Sequence, residues 1–290
     1  MFRSIKLQES SVGNSELSVQ RAQSGAAEPL AFAIEYRGVT RRFRNRHGKG
    51  EMTAVTNVSL GIKAGEFVSL IGPSGCGKST LLNMGAGLYA PSEGQVMVGG
   101  KPVRGPNPHV AFMLQKDLLM PWRTIQANIE LGMQIRGKSR AERQSVARSL
   151  LERCHLKGFE AHYPHQLSGG MRQRAALART LAIEPDVLLM DEPFSALDAQ
   201  TKMVLQQDLA QMLASEGKTA LMITHDLTEA IALSDRVFVM SDRPGTIIEE
   251  IAVDLPERDS PLQRRKLARM NDYVAHLMDL LHVGREDHLG

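Results

Sequence analysis

The nonapeptide GPSGCGKST, residues 72–80, restricts the possible folds of this chain more than any other feature. It follows the apolar run EFVSLI, precedes STLLNMGAG, and matches the spacing G-x-x-x-x-G-K-[ST], whose mechanism needs a strand before it and a helix after it. Gly72, Gly75 and Gly77 give the backbone freedom to curl its N–H groups around an anion, and Pro73, Ser74 and Cys76 fill the remaining loop positions. The N-terminus of the following helix adds about half a positive charge facing the same point. Lys78 supplies a point charge to the terminal phosphates, Ser79 carries the hydroxyl expected on Mg²⁺, and Thr80 adds a polar contact. ATP and Mg²⁺ are the ligands this stretch predicts.

The surrounding pattern sets the fold class. Residues 1–30, rich in Ser, Gln, Glu, Ala and Gly, cannot bury enough surface to offset their ordering entropy, and a mobile tail is expected there. From AFAIEYRGVTRRF to TNVSLGIKAGEFVSLIG, apolar and polar residues alternate between glycine turns, which predicts antiparallel strands feeding a buried one. A helix is expected over Lys78–Gly87, strands near 94–98 and 110–114, and a predominantly helical stretch over about 122–184. DVLLM and TALMIT are short apolar runs suited to strands buried on both faces of a parallel sheet, each followed by a helical pattern. The expected class is α/β: a P-loop nucleotidase core with an antiparallel β subdomain and an inserted α-helical subdomain of about 116–184. After residue 255, SPLQRRKLARMNDYVAHLMDLLHV predicts a helical extension with Ser260 as N-cap and Pro261 at the first turn. Leu267, Met270, Val274, Leu277 and Leu281 give it one apolar stripe, expected to pack on its own domain.

Composition removes other classes. With 35 basic and 32 acidic side chains, the formal charge of +3 creates little of the field that marks a dedicated nucleic-acid binder. Cys76 and Cys154, far apart among 290 residues, make neither a disulfide framework nor a metal set, and a reducing, cytoplasmic setting is expected. The first residues lack the apolar segment of a secretory signal, and no run approaches the roughly 18 apolar residues of a membrane span.

DVLLMDEP supplies an acid pair. Asp191, at the end of an apolar strand, is placed to reach Mg²⁺, and Glu192 beside it is placed to hold an attacking water. His225 follows TALMIT, which puts it at the same sheet edge as both acids and makes it a candidate polar group at the γ-phosphate. Phosphoryl transfer needs positioning and charge neutralisation more than covalent chemistry, so these groups suffice.

The stretch LSGGMRQRAALARTLAIEPDVLLMDEPFSALD, Leu167 to Asp198, closely resembles the ATP-binding subunits of ABC transporters, and the resemblance extends over about residues 34–255. It implies an ATPase domain over 31–255, with Ser168, Gly169 and Gly170 meeting the γ-phosphate held by a second ATPase subunit, so that two ATP molecules lie between two chains. It further implies that Phe43 stacks on adenine, that Gln115 bridges the core and the helical subdomain as a Mg²⁺ ligand with Ser79 and Asp191, and that Ser195 to Asp198 form the loop crossing the dimer interface. Glu192 matches the family's catalytic base and His225 its switch histidine. Integral membrane permease subunits and a periplasmic or extracellular substrate-binding protein are the other implied partners, and the chain's implied place is the cytoplasmic face of the inner membrane.

Only 53 positions separate Gln115 from Ser168. That fits a small transporter-type helical subdomain, whereas DNA-repair relatives insert a coiled coil there and translation relatives usually carry two ATPase domains. A regulator that binds ATP without hydrolysing it would not need Asp191, Glu192 and His225 together. QKDLLMPWRTIQANIELGM and SDRVFVMSDRPGTI resemble the nitrate, sulfonate and taurine importers. Two departures are mild: Met120 replaces a Leu before Pro-Trp, and Leu114 stands where an aromatic usually precedes the glutamine.

Four features carry weaker signals. Trp122 fits either a groove for a membrane subunit or the core. Arg41, Arg42, Arg44, Arg46 and Lys49 around Phe43 read as a solvated hairpin beside the adenine site rather than a nucleic-acid surface. His155, His162 and His165 fit no zinc spacing. Cys76, though near a helix N-terminus, reads as a small, tolerant loop position.

Overall fold

A computed structural model describes residues 32–44 and 50–281. The expected tail of residues 1–30 lies outside the described residues, as do Arg46 and Lys49. The chain opens with strands β1 (Phe32–Arg44) and β2 (Glu51–Lys63), then passes through β3 (Phe67–Ile71) into helix α1 (Lys78–Gly85). Strands β4 (Glu93–Val98), β5 (Lys101–Pro102) and β6 (Val110–Met113) precede three helices, α2 (Ile125–Ile135), α3 (Arg140–Arg153) and α4 (Gly169–Leu181). Strand and helix then alternate: β7 (Val187–Asp191), α5 (Ala199–Glu216), β8 (Thr219–Ile223), α6 (Leu227–Leu233), β9 (Arg236–Met240) and β10 (Ile247–Ala252). Helices α7 (Pro261–Arg264) and α8 (Arg269–Leu280) close the described chain.

Two sheets form. β2-β1-β4-β5 is antiparallel, and the second has the order β10-β9-β3-β8-β7-β6, parallel except for the β10 edge. β3 and β8 are buried along their whole length, because the parallel sheet is covered on both faces. Alternate side chains serve opposite layers. Val68, Leu70, Val187, Leu189, Leu221 and Ile223 face α1 and the antiparallel sheet, joining Leu81, Leu82, Ile34 and Tyr36. Phe67, Leu188, Met190, Ala220 and Met222 face α4 and α5, joining Ala176, Leu177, Leu205 and Leu209. A separate core, built on Ile125, Ile129, Leu150, Leu151 and Ala178, holds α2, α3 and α4 together. Helix α4 thus has one face in the helical core and one under the sheet.

The C-terminal region departs from a single helix. Ser260 makes no capping bond; its hydroxyl lies 3.4 Å from Gln207 Oε1, and α7 ends after one turn. Arg264 stands at the break. Only 2% exposed, its guanidinium donates to the carbonyls of Pro256, Leu255 and Ser234, and a continuous helix would not leave that side chain aimed into the domain. The apolar stripe still packs as expected: Met270 and Leu277 are buried, with Leu267, Val274 and Leu281 half-buried, against Ile231, Val237, Val239 and Ile251. Leu277→Ala should therefore lower the unfolding free energy by about 2–4 kcal/mol in chemical denaturation, whereas a loosely attached extension would show almost no change.

Candidate functional site

Every parallel strand runs toward the same edge, and the residues after their carboxyl ends assemble there. β3 leads into the glycine loop, β6 into Gln115, β7 into Asp191 and Glu192, β8 into His225 and β9 into a turn at Arg243.

The glycine loop is conformationally demanding. Gly72, Gly75 and Gly77 have φ of 155°, 77° and 109°. A Cβ on Gly77 would fall 2.4 Å from Val55 Cγ1, so this position requires glycine for space as well as for conformation. Gly77 is also the N-cap of α1, and it supplies no side-chain bond to the helix's first amides. Helices α2 to α6 differ, for Thr124, Ser139, Ser168, Asp198 and Asp226 each accept a bond from an amide of the first turn. Helix α1 thus begins with amides available to an anion, with Pro73 and Ser74 in the loop before it and Thr80 in its first turn. Lys78 Nζ donates to the carbonyls of Gly72 and Pro73 at 2.7 and 2.8 Å, which holds its ammonium over the loop. Cys76 is 1% exposed and belongs to the core. The tolerant loop position expected for it is corrected to a buried anchor, since the loop folds back over its sulfur.

The acids converge on that loop. Burial raises the pKa of Asp191, opposed by a hydrogen bond from Ser79 and by the charge of Lys78, while the charge of Glu192 adds to the rise. A hydroxyl and a carboxylate brought to the same edge are hard oxygen donors of the kind Mg²⁺ takes. Glu192 has φ of 48°, rare for a non-glycine residue, and its amide donates to Ile223 O at 3.0 Å, so the backbone turns sharply after β7 and separates the two carboxylates. Gln115 Nε2 donates to Glu192 Oε2 at 2.9 Å, and His225 Nδ1 lies 3.4 Å from the same oxygen. Three strand ends thereby meet at one carboxylate.

Phe43 stands apart from this cluster, packed edge-on against Tyr89 at 5.8 Å with the Arg41 guanidinium 4.7 Å from its ring centre. Ser168, Gly169 and Gly170 begin α4, and among the described residues no hydrogen bond joins them to residues 72–80. A Cβ on Gly170 would lie 3.1 Å from Leu197, so this helix start packs on the loop Ser195–Asp198, where Asp198 caps α5.

Several supporting residues carried no motif. Asn128, buried in α2, accepts from Met120 N and donates to the carbonyls of Met120, Arg123 and Thr124, fixing the loop on which Trp122 is 72% exposed. Trp122 is therefore not core. A polar residue between the apolar Ile125, Ile129 and Met133 was the available signal for Asn128. Lys202 on α5 binds Asp226 at 2.8 Å and the nearly buried Glu229 at 2.7 Å, holding the residue after His225. Burial pulls Asp226 upward, but hydrogen bonds from Lys202 and the Glu229 amide overcome it and its pKa is lowered; burial raises that of Glu229.

Fold and edge together define a P-loop α/β nucleotide-binding domain. Residues 55–195 match the family described as ABC transporter. An ABC transporter ATP-binding protein of Methanocaldococcus jannaschii is 48% identical over 202 residues, 70% of this chain and 76% of the relative. The taurine import ATP-binding protein TauB of Yersinia pestis is 43% identical over 205 residues, 71% and 80% of the two chains. The nitrate import ATP-binding protein NrtC of Synechococcus elongatus is 44% identical over 235 residues, covering 80% of this chain and 35% of the relative. Among solved structures, a dimeric ATP-binding cassette in a post-hydrolysis state with ADP and Pi is 33% identical, with a TM-score of 0.70 over 77% of this chain and 99% of that one. The chain belongs to the ABC transporter ATP-binding proteins, and it is an ATP-binding ATPase.

Lys202→Met should cost about 2 kcal/mol at neutral pH by leaving Asp226 and Glu229 without their cation. The stabilisation of Asp226, whose pKa is lowered, is lost as pH falls through its folded value, so its part of the difference should shrink only below about pH 4, whereas the part owed to Glu229, whose pKa is raised, should begin to shrink at higher pH, as denaturation at a series of pH values would reveal.

Proposed function

We propose that this chain powers a membrane permease that imports a small anion of the nitrate, sulfonate or taurine type, hydrolysing two ATP molecules sandwiched between two ATPase subunits. The single observation that carries the catalytic part is Glu192, turned by its left-handed backbone toward Gln115 and His225 while Asp191 faces Ser79.

In this reading the amides of residues 72–80 and the ammonium of Lys78 bind the phosphates, and the Phe43 ring stacks on the adenine. Ser79, Asp191 and Gln115 would hold Mg²⁺, which supplies charge neutralisation on the terminal phosphates. Glu192 orients a water and takes its proton as the water oxygen bonds to the γ-phosphorus and the bond to the β-phosphate oxygen breaks, giving ADP and Pi. His225 donates to the γ-phosphate oxygens. Ser168 to Gly170, with no bond to their own loop, serve the loop of the second subunit through the helix start of α4. Asp198 lies in the segment that crosses between subunits.

The ATPase domain runs over 31–255, with a helical subdomain of about 116–184 and an extension from 256. Among the described residues no helix is long and apolar enough to cross a membrane. In this reading the work of transport passes through contacts with permease subunits at the cytoplasmic face. The exposed Trp122 loop is one such surface. A substrate-binding protein outside the membrane completes the system. Two stretches, MPWRT and SDRPGTI, and the likeness to nitrate and taurine import ATP-binding proteins support the importer group.

Glu192→Gln should lower steady-state hydrolysis ~10²-fold or more while preserving an ATP-bound dimer in size-exclusion chromatography; hydrolysis near the unmodified rate would place the base elsewhere. Reconstituted with its permease and binding protein, the ATPase should be stimulated by nitrate, taurine or an alkanesulfonate. Indifference to all three would overturn the importer group while leaving the ATPase assignment standing.

A further inference from the structure

The turn after β9, Asp242-Arg243-Pro244-Gly245, has no part in the hydrolytic step, yet it touches the phosphate loop at two successive carbonyls. Arg243 donates from Nε and Nη2 to Gly75 O at 3.0 and 2.6 Å. Gly245 is buried so tightly behind the loop that a Cβ on it would lie 2.0 Å from Cys76 O. Its own amide and carbonyl pair with Ala54 O and Thr56 N, both at 3.0 Å, which anchors the turn to β2. The remaining guanidinium nitrogen, Nη1, is 3.2 Å from Met52 Sδ, and Met52 is the cross-strand partner of Phe43. Arg243 therefore spans the space between the strand pair carrying the adenine platform and the loop carrying the phosphates.

We propose that Arg243 is a positioning residue for nucleotide binding: it holds the Gly75–Cys76 peptide with its carbonyl directed outward and its amide directed into the phosphate cradle. In a trans peptide the C=O and N–H point to opposite sides, so fixing the oxygen fixes the amide. The amide concerned is weakly committed within the loop, since Cys76 N reaches Pro73 O only at 3.4 Å. A carbonyl turned the other way would present its lone pairs to a phosphate. Three loop carbonyls carry a cationic donor, those of Gly72 and Pro73 from Lys78 and that of Gly75 from Arg243. Arg243 comes from the turn after β9, outside the loop, so it keeps its carbonyl when the lysine turns to a phosphate. Two parallel N–H bonds to one oxygen need the fork of a guanidinium, which lysine lacks.

This inference rests on the reading of residues 72–80 as the nucleotide loop, and the experiment separates the two. Binding of MgATP and of a fluorescent MgADP analogue is measured with Arg243→Ala, Arg243→Lys and Lys78→Ala, alongside Tm and steady-state ATPase kinetics. Arg243→Ala should weaken both nucleotides roughly tenfold and raise KM for ATP by about the same factor, with kcat lowered less than about threefold and Tm within about 2 °C. Arg243→Lys, keeping one donor, should recover part of the affinity. Unchanged nucleotide binding in Arg243→Ala, a loss confined to kcat, or a loss matched by a large fall in Tm would overturn the positioning role. If Lys78→Ala bound nucleotide normally, the loop assignment itself would fail. If Lys78→Ala lost binding while Arg243→Ala did not, only the role of Arg243 would be lost.

Discussion

The parallel pairing of β3 with β8 and β9, and of β7 with β6 and β8, is the constraint on which the rest depends. Parallel neighbours exit in one direction, so each strand delivers its following loop to the same rim. Residues as distant in sequence as Gln115, Glu192 and His225 meet there without any one of them specifying the meeting. The cost of a parallel sheet is that both faces have to be covered, and this chain meets it with α1 and the antiparallel sheet on one side and α4 and α5 on the other. Helix α4 also belongs to the helical core, so the helical subdomain and the sheet share one helix.

Helix termini divide the labour around that rim. Side chains occupy the first amides of α2 to α6, which stabilises those helices by about 1 kcal/mol each. Helix α1 forgoes this stabilisation, and its glycine N-cap leaves the amides to a ligand. Backbone strain is placed with similar economy at Glu192, whose left-handed conformation turns one carboxylate away from its neighbour so that adjacent acids point to different tasks. Lys202 and Asn128 then act at one remove, one steadying the residue after His225 and the other the loop after Gln115.

Much of this was legible in the chain. The spacing of Gly72, Gly77, Lys78 and Ser79 implies a cradle because only glycines reach those backbone angles and because a helix has to follow. DVLLM and TALMIT implied buried parallel strands because they are apolar on both alternating faces. The resemblance over about residues 34–255 implied the remaining candidates, Phe43, Gln115, Ser168 to Gly170 and Asp198. Arg243 was visible only as part of a turn that suggested a group of importers, since a bond to a carbonyl 168 positions away leaves no local pattern. The broken C-terminal helix was hidden for the same reason: the stripe from Leu267 to Leu281 was correct, but the partners that draw Arg264 inward lie on other elements.

The amino-acid sequence by itself determined what the backbone can do: where it must bend, where a helix starts with free amides, which strands are buried and which side chains carry the chemistry. These are properties of near neighbours, governed by sterics and by periodicity. The tertiary structure alone decided which of those groups touch, giving Gln115 and His225 to one oxygen of Glu192, Arg243 to Gly75, and a solvent-exposed setting to Trp122. It also left the helix start at Ser168 without a bond to its own phosphate loop, because α4 is tied by its packing to the helical subdomain.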